Sequence, residues 1–311
     1  MQTLKLVEWL NDTYSLSGNI TSELIRSYNN DVYLIRAHTD QYVLKLYGAG
    51  WHTKSEIHYE IALVKHLINK GLRVANAIPG RDGQIVYTVP FLQREQYAVL
   101  FEYAEGQKPQ PPFSSHLYFS FGQAIARMHN CSDDFTTVYE RKPLDLNHLI
   151  DIPLNLTLPL IEKEEERQFL QAVAKKVSQR VTELNPHGLD WGPIHGDATL
   201  DNLHVTDEGQ IVLYDFDMGG PGWRAADLQG WAENNQDYAE KWVAFKRGYA
   251  TARELKVIDL AVAPYFAVAW LIRALQLDLE RRILAQGNEK VTAYLQEQLD
   301  AIRRQAQLAM Q

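Results

Sequence analysis

Cysteine is almost absent from this 311-residue sequence: Cys131 stands alone, so no intramolecular disulfide can form and a reducing compartment suits the chain. Uninterrupted apolar runs are missing too. The most apolar stretch, VIDLAVAPYFAVAWLIRAL at 257–275, contains Asp259, Pro264 and Arg273, which predicts a buried globular helix rather than a membrane span. The opening MQTLKLVEWLNDTY turns polar after ten positions and lacks the basic-then-apolar order of a signal peptide. A cytoplasmic protein with no membrane partner is therefore expected. A basic surplus is also lacking. The formal charge is −8, and residues 1–104 hold ten basic and ten acidic side chains, leaving 21 and 29 of the totals of 31 and 39 to residues 105–311. Such a balance excludes nucleic acid as the expected partner, because phosphate backbones require Lys and Arg clusters. It mildly favours a cationic or amine-bearing small molecule, although surplus acids equally serve solubility.

What is present is enough to build a core: 46% of residues are hydrophobic and 23% charged. Residues 3–14 read as a short amphipathic helix. Strand-type segments follow at 23–27, 32–37 and 42–47, separated by the polar turns SYNND and HTDQ. Helical spacing then takes over at 55–71, where Ile57, Ile61, Val64, Leu67 and Ile68 form one stripe and Gly71 ends it. RDGQ at 81–84 has a hairpin turn, and YAVLFEY at 97–103 is the last strand before the Gly/Pro-bearing AEGQKPQPPF. Beyond it, helices are expected over 116–130, 160–184, 224–253, 256–284 and 288–309, interrupted by one hairpin at 203–215. A small β-rich lobe hinged to a larger helical lobe is the simplest arrangement.

Chemistry concentrates around that hairpin. IHGDATLDNLHV at 194–205 crowds His195, Asp197, Asp201 and Asn202 among apolar residues, and burying a carboxylate is costly without a compensating partner. A hairpin brings the outer ends of its strands side by side, so Asn202 and the DFD triplet at Asp215–Asp217 should be neighbours. An amide oxygen and one or two carboxylates form a hard-oxygen site suited to Mg²⁺. An aspartate outside that cage can accept a proton as a catalytic base.

HGD, the Asn five residues after its Asp, and DFD after the hairpin together resemble the active-site core of the aminoglycoside phosphotransferase and choline kinase superfamily, relatives of the protein kinases. The resemblance implies an α+β, bilobal protein kinase-like fold. A small antiparallel β-sheet N-lobe with one main helix would occupy 1–104, and a larger, mostly helical C-lobe would occupy 105–311. It also implies ATP and Mg²⁺ as cofactors, Asp197 as the base, and Asn202 and Asp215 as the Mg²⁺ ligands. Asp217 could hold a second Mg²⁺, face the substrate or bond the loop backbone. Lys45, unexpected inside YVLKLY, corresponds to the strand lysine that contacts the α- and β-phosphates. Glu60, on the inner edge of the next helix, is its expected partner in preference to Glu56.

The SYNND turn has no glycine, so Ser27, Asn29 and Asn30 are the candidate donors above the phosphates, and the backbone of Glu102, Tyr103 and Ala104 is the candidate adenine contact. His195 reads as a hydrogen-bonded loop histidine rather than a metal ligand. Asp227 resembles the buried aspartate that fixes the catalytic loop. Trp223, Arg224, Trp231, Glu233, Trp270 and Arg273 are candidates for the substrate pocket, where aromatic walls and acids would suit an amine. The expected acceptor is a hydroxyl of a small molecule such as an aminoglycoside-like antibiotic or an amino alcohol. A Ser/Thr protein kinase of the same fold is the alternative, but Asp227 comes only twelve positions after Asp215, leaving little room for an activation loop. A phosphohydrolase would have no use for Lys45 and Glu60, and a non-catalytic nucleotide-binding module would not need Asp197.

Overall fold

The alternating β-branched and aromatic residues of VYLIRA and YVLKLY draw the N-terminal chain into a sheet. The computed structural model describes residues 2–89, 96–231, 236–280 and 287–310. In it Ile20–Ser27 (β1), Asn30–Ala37 (β2) and Asp40–Tyr47 (β3) form an antiparallel meander. Ala77–Ile78 (β4), Tyr87–Thr88 (β5) and Tyr97–Glu102 (β6) complete a six-stranded sheet of order β1-β2-β3-β6-β4, with β5 also paired to β6.

Because successive strand residues point to opposite faces, the two faces acquire different coverings. Ile35, Leu44, Leu46 and Leu100 pack against Leu6 and Leu10 of helix α1 (Gln2–Thr13) and against Tyr14 just beyond it. Val43, Tyr47, Val99 and Phe101 pack against Ile57 and Ile61 of helix α2 (Lys54–Asn69). Lys45 pairs across the ladder with Val32 and Val99, which places it on the α2 face. Helix α2 begins in a capping box: Glu56 N–H donates to Thr53 Oγ1 at 3.2 Å, and Thr53 N–H donates to the Glu56 carboxylate at 2.9 Å.

The hairpin Leu203–Val205 and Ile211–Leu213 belongs with this sheet. The chain divides into two compact units: Met1–Gln110 with Asp134–Arg141 and Leu200–Asp217, and Pro111–Asp133 with Lys142–Thr199 and Met218–Gln311. Backbone bonds explain why the hairpin leaves the helical part in which a division at residue 104 would place it. Gln107 and Val205 exchange N–H···O bonds of 3.0 and 2.9 Å, and Leu213 is bonded to the chain at Arg73 and Ala75.

In the second unit, among the described residues, Ser115–Cys131 (α3), Ile152–Thr157 (α4), Glu164–Leu184 (α5), Gln236–Ala250 (α6), Val257–Asp278 (α7) and Asn288–Ala309 (α8) are the α-helices. Helix α7 is long and apolar enough to span a membrane by composition alone, yet Val262, Phe266, Val268 and Ile272 are fully buried in a core shared with α5 and α8. The helix expected over 224–253 is not uniform: Arg224–Trp231 is 3₁₀, whereas Gln236–Ala250 is α-helical. A two-stranded ribbon, Trp191–Ile194 (β7) with Gly220–Trp223 (β10), brackets the HGD and DFD segments; numbering in chain order makes the hairpin strands β8 and β9. Its Gly/Pro-rich strands carry no alternating pattern that would have announced it. Helices α3 and α6 approach so closely that a Cβ on Gly248 would lie 1.9 Å from the Phe119 carbonyl oxygen. That approach puts His129 of α3 beside Tyr249 of α6.

Candidate active site

Lys45 is fully buried in the sheet-bearing unit and has two carboxylate partners there. Its Nζ lies 3.0 Å from Glu60 Oε1 and 2.7 Å from Asp215 Oδ1. Burial alone would pull the ammonium down, but Asp215 and Glu60 more than reverse this and hold its pKa well above the usual lysine value. Burial raises Glu60 despite Lys45, and Tyr47 Oη donates to Glu60 Oε2 at 2.9 Å, fixing the carboxylate in place. Glu60 is thus the lysine's partner, as its position on the α2 stripe suggested. Glu56 instead belongs to the capping box.

Asn202 and Asp215 are brought together at the open end of the β8–β9 hairpin, where Tyr214 N–H donates to the Asn202 carbonyl at 3.1 Å. Asp215 adopts φ +66°, a left-handed conformation that Asp tolerates better than most residues. One amide oxygen and one carboxylate, both on hairpin-anchored backbone, fit Mg²⁺, which takes one or two protein oxygens and completes its shell with phosphate and water. Among the described residues no group of three or more His, Cys, Asp or Glu could hold a metal ion.

Asp217 has a bracing role. Its buried carboxylate oxygen Oδ2 accepts from Asn30 Nδ2 at 2.5 Å and from Trp51 Nε1 at 3.1 Å. Its main-chain carbonyl accepts from Arg141 and lies 2.9 Å from His52 Nε2. Burial opposes ionisation, yet Lys45 and the bonds from Asn30 and Trp51 bring its pKa down to about 2. Oδ2 thereby braces the β1–β2 turn and the β3–α2 loop. Asn30 is corrected with it: its amide is directed onto Asp217 rather than offered to phosphate. Ser27 likewise donates its hydroxyl to Asp31 at 2.6 Å. Asn29 is buried at the same turn.

A cavity of about 330 Å³, within the range for small-molecule sites, opens beside Lys45 in the same unit. Val32, Val43, Val64, Ala75, Phe101 and Phe216 give it apolar walls, and the expected segment Glu102–Tyr103–Ala104 lines it. Glu102 N–H is bonded to Asn76 O at 2.8 Å, while His204 Nδ1 lies 2.8 Å from Ala104 O. A carbonyl only accepts, so Nδ1 carries the proton; burial lowers the His204 pKa in spite of that bond. Its ring contacts Tyr103 and Tyr214, with centroids 5.3 and 5.1 Å away. His204, Tyr214 and Arg26 also line the cavity, and the sequence reading missed all three. For His204 a signal existed: it lies two residues after Asn202, at the start of the expected hairpin.

In the helical unit the HGD loop is held by a buried chain of hydrogen bonds. Asp227 accepts from His195 N–H at 2.8 Å, Gly196 N–H at 2.8 Å and His129 Nε2 at 2.9 Å. His129 Nδ1 in turn lies 2.8 Å from Tyr249 Oη. Burial lowers the His129 pKa, keeping the ring neutral. Asp227, despite the same burial, is lowered by its bond from His129 and by the His195 N–H. The hydrogen bonds therefore run from Tyr249 hydroxyl to Nδ1, and from Nε2–H to carboxylate. His195 is fully buried, and its Nδ1 accepts from Asp197 N–H at 3.3 Å, the loop role expected of it. Gly196 has φ +79°, and a Cβ there would lie 2.3 Å from the Met218 carbonyl oxygen, so no other residue fits. The result is a stiff backbone that presents Asp197 half-exposed.

Two substrate candidates are corrected. Trp223 is buried, donates through Nε1 to Asn185 Oδ1 at 2.9 Å and packs on Trp191 and Phe266. Arg224 is buried against Asp133 at 2.5 Å and Asp190 at 3.1 Å, in a network that Arg253 shares. Both hold the core together, because apolar and acidic partners from several elements converge on them. Trp270 and Arg273 are half-buried on α7, with the guanidinium 4.8 Å from the indole centroid. Glu233 and the side chain of Trp231 lie outside the described residues.

The Lys–Glu pair, the hairpin-borne Asn and Asp and the braced HGD loop all lie within the stretch that a family model matches. Residues 21–266 match the phosphotransferase enzyme family, and the chain belongs to it. It is 34% identical over 269 residues to an uncharacterized protein of Deinococcus radiodurans, covering 84% of this chain and 77% of that one. It is 25% identical over 243 residues to a homoserine kinase of Granulibacter bethesdensis, covering 76% and 72% respectively. The fold is that of a microcompartment-associated aminopropanol kinase: TM-score 0.78 and 23% identity over 99% of this chain and 96% of that one. The protein kinase-like architecture expected from the motifs is therefore the observed one.

Proposed function

We propose that the chain transfers the γ-phosphoryl group of ATP to a hydroxyl of a small amino alcohol. The observation that carries the reading is the buried Lys45, bonded at once to Glu60 and Asp215 beside the cavity of about 330 Å³. A lysine held charged between two carboxylates is costly to bury and suits a site that must receive phosphate. In this reading the backbone of 102–104 meets the purine edge, Tyr103 and His204 flank the base, and Lys45 holds the α- and β-phosphates. Asn202 and Asp215 would hold Mg²⁺, which when bound offsets phosphate charge. Asp197, five residues before Asn202 on the same loop, would take the proton of the acceptor hydroxyl. Little covalent help is required beyond aiming and charge stabilisation.

The class of acceptor rests on the comparisons: aminopropanol and homoserine each carry an amine and a hydroxyl on a short chain, and the acidic excess of residues 105–311 suits a cationic group. A protein substrate is disfavoured because residues 216–231 are taken up by a 3₁₀ turn, β10 and a second 3₁₀ segment, with no long loop. ADP release measured against short amino alcohols, homoserine, aminoglycosides and a serine-bearing peptide tests the proposal. Turnover with a short amino alcohol is expected. ADP release that no hydroxyl acceptor raises above background would defeat it.

A further inference from the structure

One residue lining the cavity owes its position to an irregularity of β1. The β1–β2 ladder shifts register between Leu24 and Arg26, so that Leu24 faces Tyr33 while Arg26 faces Val32, and Ile25 is the extra residue of a bulge. Val32 pairs with Lys45. The bulge thus turns Arg26 onto the sheet face that carries Lys45, where an unbroken alternation would have sent it to the other side. Its guanidinium reaches Asp215 Oδ2 at 3.3 Å, while Lys45 holds Oδ1 of the same carboxylate. Of the three cations lining the cavity, Lys108 is engaged by Asp201 at 2.6 Å and Lys45 is shared between two acids. Arg26 alone combines a long, single ion pair with a side chain 47% exposed, hence free to turn. The β1–β2 turn, with Ser27 committed to Asp31 and Asn30 to Asp217, offers no substitute through those two side chains.

We infer that Arg26 grips the terminal phosphates of the nucleotide: it neutralises Asp215 until a divalent cation takes that carboxylate, then turns its guanidinium onto the phosphate oxygens. Arginine suits the exchange because its planar fork fits carboxylate and phosphate alike. The inference rests on the proposed nucleotide site, and its test separates the two. Calorimetry on the full chain compares wild type, Arg26→Gln and Arg26→Lys, with Mg²⁺–AMP-PNP, with adenosine, and with Mn²⁺ alone. Arg26→Gln should weaken AMP-PNP binding by about tenfold, the loss of one charge-assisted contact, and Arg26→Lys by less. Adenosine affinity should stay unchanged, and Mn²⁺ alone should bind Arg26→Gln more tightly, since its competitor for Asp215 is gone. A structural defect would not move nucleotide and metal in opposite directions. AMP-PNP binding to Arg26→Gln as to wild type, or an equal fall for AMP-PNP and adenosine, overturns the role of Arg26 and leaves the nucleotide site standing. Wild-type protein that binds neither AMP-PNP nor adenosine overturns both.

Discussion

Replacing Asp227 with asparagine is the sharpest perturbation of the HGD loop, because it keeps the shape and removes only charge and one acceptor. The carboxylate takes three hydrogen bonds, from His195 N–H, Gly196 N–H and His129 Nε2. An asparagine that keeps its oxygen at the Gly196 side can satisfy His129 by a tautomer change, with Nδ1–H then donating to Tyr249 Oη. His195 N–H is left facing an NH₂ group. With the amide reversed, Gly196 N–H is stranded instead. Either orientation leaves one buried backbone donor unsatisfied and turns the remaining bonds from ionic to neutral, a loss of about 2–4 kcal/mol. For the helical unit this corresponds to a fall in Tm of about 5–10 °C. The sign of the pH dependence follows from the depressed pKa of Asp227. Its contribution is fully present above the unfolded carboxylate value of 3.8 and is lost as pH falls through the lower folded value. The gap in Tm between wild type and Asp227→Asn should therefore narrow below about pH 4. Calorimetric melting across pH, with phosphoryl-transfer rates on the same samples, measures both effects. Turnover should drop while AMP-PNP affinity holds, since the cavity is built in the other unit. An Asp227→Asn protein with wild-type Tm and wild-type kcat would refute the idea that these bonds hold the loop.

The two glutamates of α2 separate cleanly. Glu60→Gln should weaken AMP-PNP binding by loosening Lys45, whereas Glu56→Gln should cost about 0.5–1 kcal/mol of stability through the capping box and leave affinity intact, as read by calorimetry and melting. Gly196→Ala forces a left-handed alanine against the Met218 carbonyl, and should lower both Tm and turnover in melting and rate measurements, with AMP-PNP binding retained. His129 adds a milder pH effect: its folded pKa lies below 6.5, so the unfolded chain takes up the proton first and stability should fall as pH drops below that value. In His129→Gln that portion of the melting profile should flatten.

Much of this arrangement was legible in the sequence wherever a residue contradicted its surroundings. A lysine inside an apolar strand and a glutamate inside a helix stripe needed each other, and they meet at 3.0 Å. A hairpin between Asn202 and Asp215 fixed their adjacency by geometry alone. What the sequence did not reveal depends on long-range partners or irregular backbone. Asn30 looked like a turn donor because nothing local shows that Asp217 would claim its amide from 187 positions away. Trp223 and Arg224 looked like pocket residues because exposure cannot be told from residue type. Arg26 was invisible because regular alternation places it on the wrong face, and only the bulge turns it inward. The ribbon of β7 and β10 has no hydrophobic period to betray it.

The central claim is that Asp197 takes a proton from an acceptor hydroxyl while a separate set of residues binds the nucleotide. The most direct test follows transfer of labelled γ-phosphate to an amino alcohol by wild type and Asp197→Asn, alongside AMP-PNP titration of both. Transfer should disappear in the variant with AMP-PNP affinity preserved. Transfer that persists near the wild-type rate would contradict the account.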